Sequence, residues 1–295
     1  MRYAYYPGCS LTTSSVEYDA ATRAVLARLG VELADIPDWT CCGASAVEAV
    51  SRLLSFALPA RNLALAERDL AGADVLIPCS ACYLNHRRVQ EHIPRDKALT
   101  ESVNEALSDE ALTYAGTAKV RHLLDVLATD IGADPVAEAV SRPLEGISVA
   151  PYYGCQALRP YADFDCPERP TTMEPLLSAL GATVHEWNLG GACCGASLMA
   201  TKKEAALVSV AALLGAAQGA DVIATVCPMC QMNLEAYQSE ALGLLQGAHP
   251  VSVVYLPQLM GLAMGMREAD VLLGKNLTVT EAFLRKIRSR ETIPA

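Results

Sequence analysis

Long uninterrupted apolar runs are missing from this 295-residue sequence. The best candidate, 205–226, is broken by Gly215, Gln218, Gly219 and Asp221 and preceded by Lys202, Lys203 and Glu204. A membrane helix needs roughly 20 consecutive apolar residues, so no membrane span is expected. A long apolar leader is missing too. Met1-Arg2-Tyr3 runs straight into a short apolar strand, which predicts no signal peptide and a cytoplasmic chain. Positive charge is in short supply: the net charge of −10 argues against nucleic acid and against a surface built for anionic lipid. Ordinary solubility accounts for the acidity. Aromatics are only 5%, but 52% of the residues are hydrophobic, so Ala, Leu and Val can fill a core in each half. At this length two domains of about 150 residues are the natural expectation.

What the chain has in quantity is cysteine, eleven in all. Ten fall into two sets of five in matching order. One set is Cys9, Cys41-Cys42-Gly43 and Cys79-x-x-Cys82; the other is Cys155, Cys193-Cys194-Gly195 and Cys227-x-x-Cys230. Cys155 follows Cys9 by 146 residues, Cys193 follows Cys41 by 152, and Cys227 follows Cys79 by 148. A near-constant shift across three landmarks indicates an internal duplication. The boundary is placed so that 1–140 form the first unit and 141–295 the second. In the reducing cytoplasm, cysteines in such numbers are more often metal ligands or catalytic groups than disulfides.

Each half alternates strand and helix. In the first, strands are expected at 2–6, 31–36 and 74–77, and helices at 16–29, 46–70 (kinked or divided at Pro59) and from Tyr83 to His92. The segment 120–127 is the counterpart of 254–261, and 130–142 reads as the linker. In the second half, strands are expected at 148–152, 183–187, 222–226 and 251–256. Helices are expected at 172–180, 202–217, 229–237 and 258–266, and the tail carries a basic amphipathic helix around Phe283, Leu284 and Ile287. That helix is either a solvated surface element or a docking element for a partner. The pattern predicts an α/β fold of two tandem Rossmann-like parallel-sheet domains related by internal duplication. Ligands in such sheets bind beyond the carboxyl ends of the strands, and every landmark cysteine follows a predicted strand or its loop.

Four readings of the thiols compete at this point. Structural zinc would use two Cys-x-x-Cys pairs, but the adjacent Cys-Cys words are unusual for a tetrahedral site. Ordinary cubane iron–sulfur binding favours a compact C-x2-C-x2-C run, which is absent. Disulfide or thioredoxin-like chemistry would leave the Cys-Cys-Gly words unexplained. A larger iron–sulfur assembly able to take five thiolates is the fourth. Gly43 and Gly195 fit any metal reading: they let the backbone turn away from a bulky group, and nearby amides can donate to sulfur.

The pattern resembles the duplicated cysteine-rich CCG domain of the heterodisulfide reductase B-subunit family. Cys227-Pro228-Met229-Cys230-Gln231-Met232-Asn233-Leu234 carries the resemblance especially, and the likeness extends from Tyr6 to Leu259. It implies one non-cubane 4Fe–4S cluster per domain, held by Cys9, Cys41, Cys42, Cys79 and Cys82 and by Cys155, Cys193, Cys194, Cys227 and Cys230. It also implies reductive cleavage, or the reverse formation, of a disulfide between the two clusters. A disulfide or thiol would be the substrate. The partners would be one protein with ferredoxin-type 4Fe–4S clusters and another containing flavin, with no nucleotide or flavin in this chain. Relatives in lactate-, glycolate- and succinate-oxidising complexes, or in a sulfur-oxidising complex, offer an alternative, an electron-relay role without disulfide chemistry.

Other residues stand outside this pattern. Cys166 lies outside both sets and is read as a non-ligand. His122 follows a predicted strand, where it could give a proton to a product thiolate, but it is read as structural. Arg87 and Arg88 read as a solvated face. Arg159, close behind Cys155, is the candidate for an anionic substrate tail. Trp39 and Trp187 precede the cysteine pairs and are expected to pack under the cysteine loops.

Overall fold

The computed structural model describes residues 1–44 and 46–290. It contains two four-stranded, all-parallel sheets of the same order. The first comprises β1 (Arg2–Tyr5), β2 (Glu32–Asp35), β3 (Asp74–Ile77) and β4 (Val120–His122), arranged β2-β1-β3-β4. The second comprises β5 (Ser148–Tyr152), β6 (Thr183–Val184), β7 (Val222–Thr225) and β8 (Ser252–Tyr255), arranged β6-β5-β7-β8. Each central strand (β1, β3, β5 and β7) is buried over its apolar run, as expected where helices cover both faces. The expected duplication and parallel-sheet class are therefore present.

Strand β6 is shorter than its sequence suggests, and Pro151 explains why. His185 still donates its amide to Val149 O at 2.8 Å. The next ladder bond would need an amide hydrogen on Pro151, which proline lacks. The chain leaves the sheet there, and Trp187 Nε1 takes the Pro151 carbonyl instead, at 3.1 Å.

Two other expectations are corrected. The long helix after the first cysteine pair does not divide at Pro59, which lies inside the helix Arg52–Asp69. The break falls at Ser51, between Val47–Val50 and Arg52–Asp69, where the Ser51 side chain caps the new helix by accepting from the Leu54 amide at 3.2 Å. The linker 130–142 contains a helix, Ala133–Ala139. Its Pro135 sits in the first turn, where no amide is needed, and its Val136 is buried.

The two halves are packed together. Helix Leu256–Ala263, which follows β8, lies on helix Val16–Arg28 of the first half. Tyr18 and Tyr255 stack there with ring centroids 4.1 Å apart. Tyr18 also donates to Pro78 O at 3.1 Å, beside Cys79.

The tail helix, Glu281–Arg288, docks on its own chain. Phe283 is fully buried and Ile287 nearly so, while Lys286 pairs with Asp221 at 2.6 Å and Arg288 with Glu268 at 2.8 Å. Phe283→Ala is therefore expected to lower stability by about 3–5 kcal/mol in urea unfolding. A solvated helix would show almost no change.

Candidate functional site

The cysteines gather where parallel sheets place their ligands. Cys9 follows β1 and Cys155 follows β5; the pairs Cys41-Cys42 and Cys193-Cys194 come from the loops after β2 and β6. Cys79 and Cys227 stand at the N-caps of helices Ser80–His92 and Pro228–Ala236, and Cys82 and Cys230 lie in the first turns. All eleven thiols are free.

Their sulfurs pair off. Cys9 and Cys41 are 3.7 Å apart, and Cys42 and Cys82 are 3.3 Å apart. In the second half Cys194 and Cys230 are 3.7 Å apart, and Cys155 lies near enough to Cys193 for its thiol to be pushed up by it. The remaining two, Cys79 and Cys227, lie near enough across the two halves for each thiol to shift the other's proton affinity. The ten predicted residues are thus brought into one array whose middle is the approach of Cys79 to Cys227. Cys155, Cys193, Cys194, Cys227 and Cys230 all line a single cavity. Cys9, Cys41 and Cys193 are exposed while Cys42, Cys79, Cys82, Cys194, Cys227 and Cys230 are buried, so each set has a closed inner side and an open outer one.

Backbone amides point at the sulfurs. Gly195 N–H reaches Cys193 Sγ at 3.4 Å, and the Gly43 amide favours the thiolate of Cys41. The amides of Ala44 and Ala196 favour the thiolates of Cys42 and Cys194, and those of Met229 and Cys230 favour that of Cys227. Gly43 and Gly195 reach these positions with φ of +74° and +77°, the left-handed region glycine favours.

The thiols divide into proton donors and acceptors. The Cys155 thiol, the Gly195 amide and the Arg159 charge hold Cys193 below the ordinary thiol range. Cys227 is held low by Cys230 and Cys79, whereas Cys79 is pushed up by Cys227. So many crowded thiols cannot all ionise without a cationic centre among them. A multinuclear metal cluster supplies that charge and spreads its ligands over several metal atoms. Among the described residues no three His, Cys, Asp or Glu side chains close on a single ion. The donor set fits an iron–sulfur cluster.

Several supporting residues carry no motif of their own in the sequence. Asn85 Nδ2 donates to Cys42 O at 3.1 Å, and Asn233 Nδ2 donates to Cys194 O at 2.7 Å. Both stand three residues after the second cysteine of their Cys-x-x-Cys pair, and that repeat was the available signal. Tyr6 and Tyr152 donate to the carbonyls of Thr40 and Ala192, at 2.8 and 2.9 Å, just before each cysteine pair. Trp39 and Trp187 meet those tyrosine rings edge-on at 5.4 and 6.1 Å, under the cysteine loops as expected. Asn233→Ala would leave the Cys194 carbonyl without this partner. It is expected to cost about 1–3 kcal/mol, read by urea denaturation.

Other predicted residues lie elsewhere. Cys166 is exposed and apart from both sets, with its thiol 3.6 Å from Glu168 Oε2. His122 is buried at the end of β4. Arg87 is tied to Asp163 at 2.6 Å and Arg88 to Glu48 at 2.7 Å, so both are paired within the chain. Arg159 is exposed and donates to Pro167 O at 3.1 Å and to Gly191 O, on the loop that delivers Cys193.

Residues 3–86 and 149–235 each match the CCG cysteine-rich domain. This chain belongs to the CCG cysteine-rich domain family. The duplicated CCG chain is 33% identical, over 93% of its length and 96% of the relative, to the 8-methylmenaquinol:fumarate reductase membrane anchor subunit of Wolinella succinogenes. It is 27% identical to the B subunit of the Ferredoxin/F(420)H(2)-dependent CoB-CoM heterodisulfide reductase of Methanosarcina acetivorans, over 97% of both chains. It is 28% identical to a heterodisulfide reductase B-subunit-like protein of Archaeoglobus profundus, over 97% of this chain and 98% of the relative. The resemblance to heterodisulfide reductase B subunits therefore holds over nearly the full length. A crystal structure of a hypothetical protein from Helicobacter pylori superposes with a TM-score of 0.72 at 18% identity, which shows a shared fold. That match covers 95% of the CCG chain and about half (52%) of the other. Two of these relatives are thus named as subunits of reductases. Among the described residues no helix is long and apolar enough to cross a membrane.

Proposed function

We propose that the chain holds two non-cubane 4Fe–4S clusters and passes electrons between them within a multisubunit oxidoreductase. Cys9, Cys41, Cys42, Cys79 and Cys82 would hold one cluster, and Cys155, Cys193, Cys194, Cys227 and Cys230 the other. Units 1–140 and 141–295 would each be built around one of them. The nearness of Cys79 to Cys227 carries this reading, because it would leave the two proposed ligand groups side by side. Bound clusters would supply one-electron chemistry at potentials set by their surroundings. The chain's own residues do the rest. The amides of Gly43, Ala44, Gly195 and Ala196 hold the thiolates, and the Tyr6–Trp39 and Tyr152–Trp187 pairs keep water from the loops behind them.

The exposed side, with Cys9, Cys41 and Cys193, faces whatever brings or takes electrons. A ferredoxin-type 4Fe–4S protein and a flavoprotein are the partners we assign, in keeping with relatives named as parts of reductase complexes. Eleven free thiols support a cytoplasmic setting. Anaerobic purification followed by iron and acid-labile sulfide analysis tests the proposal. Roughly eight irons per chain are expected; zinc without sulfide overturns it.

A second reading, reductive cleavage of a disulfide, is favoured by the open outer side and by the relatives named for heterodisulfide reductase. In that reading Arg159, whose charge acts on Cys193, would meet an anionic substrate tail. Rapid-freeze EPR after mixing with a thiol or disulfide separates the two. An unchanged cluster signal sinks the disulfide reading.

A further inference from the structure

We infer that Asn85 sets the potential of the first centre by donating a side-chain hydrogen bond to the sulfur of Cys42, a bond that its counterpart Asn233 does not make to Cys194. The inference rests on the reading that each cysteine set holds an iron–sulfur cluster. Asn85 lies on helix Ser80–His92, three residues after Cys82. Its Nδ2 is 3.1 Å from Cys42 O and 3.7 Å from Cys42 Sγ. A carbonyl only accepts, so the nitrogen and not the oxygen of the side-chain amide faces Cys42. That nitrogen carries two hydrogens, one for each acceptor. As a thiolate, the form that binds metal, the Cys42 sulfur can only accept.

The neighbouring residue fixes this approach. His86 is fully buried, and burial holds its ring neutral. Its Nδ1 faces the Cys82 carbonyl at 2.7 Å, so the ring proton sits on Nδ1. Its Nε2 then accepts from Asn62 Nδ2 at 3.3 Å. Asn62 in turn pairs with both backbone groups of Thr40, accepting from its amide at 2.8 Å and donating to its carbonyl at 3.0 Å. Thr40 immediately precedes Cys41. The loop that carries Cys42 is thus tied to the helix that carries Asn85, which keeps the donor on the sulfur.

The second half has the same helix without this device. Asn233 stands where Asn85 does, three residues after Cys230, but among the described residues its Nδ2 reaches Cys194 O, at 2.7 Å, and no sulfur. Leu234 stands where His86 does and has no polar side-chain atom. The Tyr152 hydroxyl lies 4.0 Å from Cys230 Sγ, but its one proton is on the Ala192 carbonyl at 2.9 Å. A donor at ligand sulfur favours the more negative, reduced form and raises the potential. Removing the Asn85 amide should therefore lower the potential of the first centre and leave that of the second alone.

An EPR-monitored redox titration of the anaerobically purified full chain tests this, with centres assigned from the spectra of Cys42→Ser and Cys194→Ser. At the applied potential that half-reduces the first centre in wild type, Asn85→Ala should cut that centre's reduced-to-oxidised ratio about fivefold, the scale of one hydrogen bond to a charged acceptor. The second centre should not move. Asn233→Ala removes a carbonyl bond and no sulfur bond, so the second centre's ratio at its own midpoint should change by less than about twofold. An unmoved first centre in Asn85→Ala overturns the inference, as does a change that both centres share. An equally large shift of the second centre in Asn233→Ala also overturns it, because the carbonyl bond would then be what acts. If Asn85→Ala loses the first centre, wild type carrying 15N-labelled asparagine decides. Pulsed EPR should show a 15N coupling at the first centre that is stronger than any at the second; equal or absent couplings overturn the inference. A wild-type chain without iron and sulfide fails the cluster reading itself, which is seen before any titration.

Discussion

Replacing Cys194 with serine is expected to remove one of two iron–sulfur centres and leave the other standing. Cys194 is buried, its sulfur lies 3.7 Å from that of Cys230, and its carbonyl is held by Asn233 at 2.7 Å. The loop cannot swing away to offer a different ligand, so the serine hydroxyl stays where a soft thiolate is required. Iron and acid-labile sulfide per chain should fall by about half, because the proposed assignment draws the ligands of each centre from one half. Cys42→Ser should do the same to the first centre, where Cys42 lies 3.3 Å from Cys82. Metal binding is folding free energy when the site forms only in the folded chain. The thermal midpoint should therefore drop along with the iron. Cys166→Ser is the control: Cys166 is exposed and outside both sets, so its replacement should leave iron content and midpoint unchanged. Equal loss from Cys166→Ser and Cys194→Ser would show that the two sets of five are drawn wrongly.

Much of this arrangement was legible in the sequence. Strands Asp74–Ile77 and Ser148–Tyr152 fall where the apolar runs place them, because a strand buried on both faces needs a short continuous run ended by Gly, Pro or Cys. The duplication fixed the correspondence of the two cysteine sets before any geometry was known. What the sequence hid was decided by tertiary packing. That Cys79 comes near Cys227 depends on helix Leu256–Ala263 lying on helix Val16–Arg28, and no periodicity encodes which helices meet. Ser80 reads as an ordinary first-turn residue until the second half closes over it. Proline misled in one place and explained another. Pro59 is tolerated inside a helix that restarts at Ser51, whereas Pro151 ends a neighbouring strand by withholding one amide.

Gly154 offers the sharpest test of how tightly the second centre is built. Its φ is +68°, and a Cβ placed on it would come within 2.9 Å of Cys230 Sγ. Gly30 has nearly the same backbone, φ +72°, but a Cβ there meets nothing within 4 Å. The two glycines therefore share the backbone term and differ in the contact. Gly30→Ala is expected to cost about 1 kcal/mol, the strain of a left-handed alanine, and to keep all of its iron. Gly154→Ala adds overpacking of about 1–3 kcal/mol against Cys230, which lies in the first turn of a helix and is a proposed ligand. Cys230 can relieve the clash only by turning its sulfur away from Cys194. Gly154→Ala should thus lower stability by roughly 2–4 kcal/mol in urea unfolding and lose the second centre's iron. Gly8→Ala, where the contact to Cys82 Sγ is 3.1 Å, should do the same more mildly to the first centre. If Gly30→Ala and Gly154→Ala lose equal stability and keep equal iron, backbone conformation alone selects these glycines, and the approach of Cys230 is not what requires them.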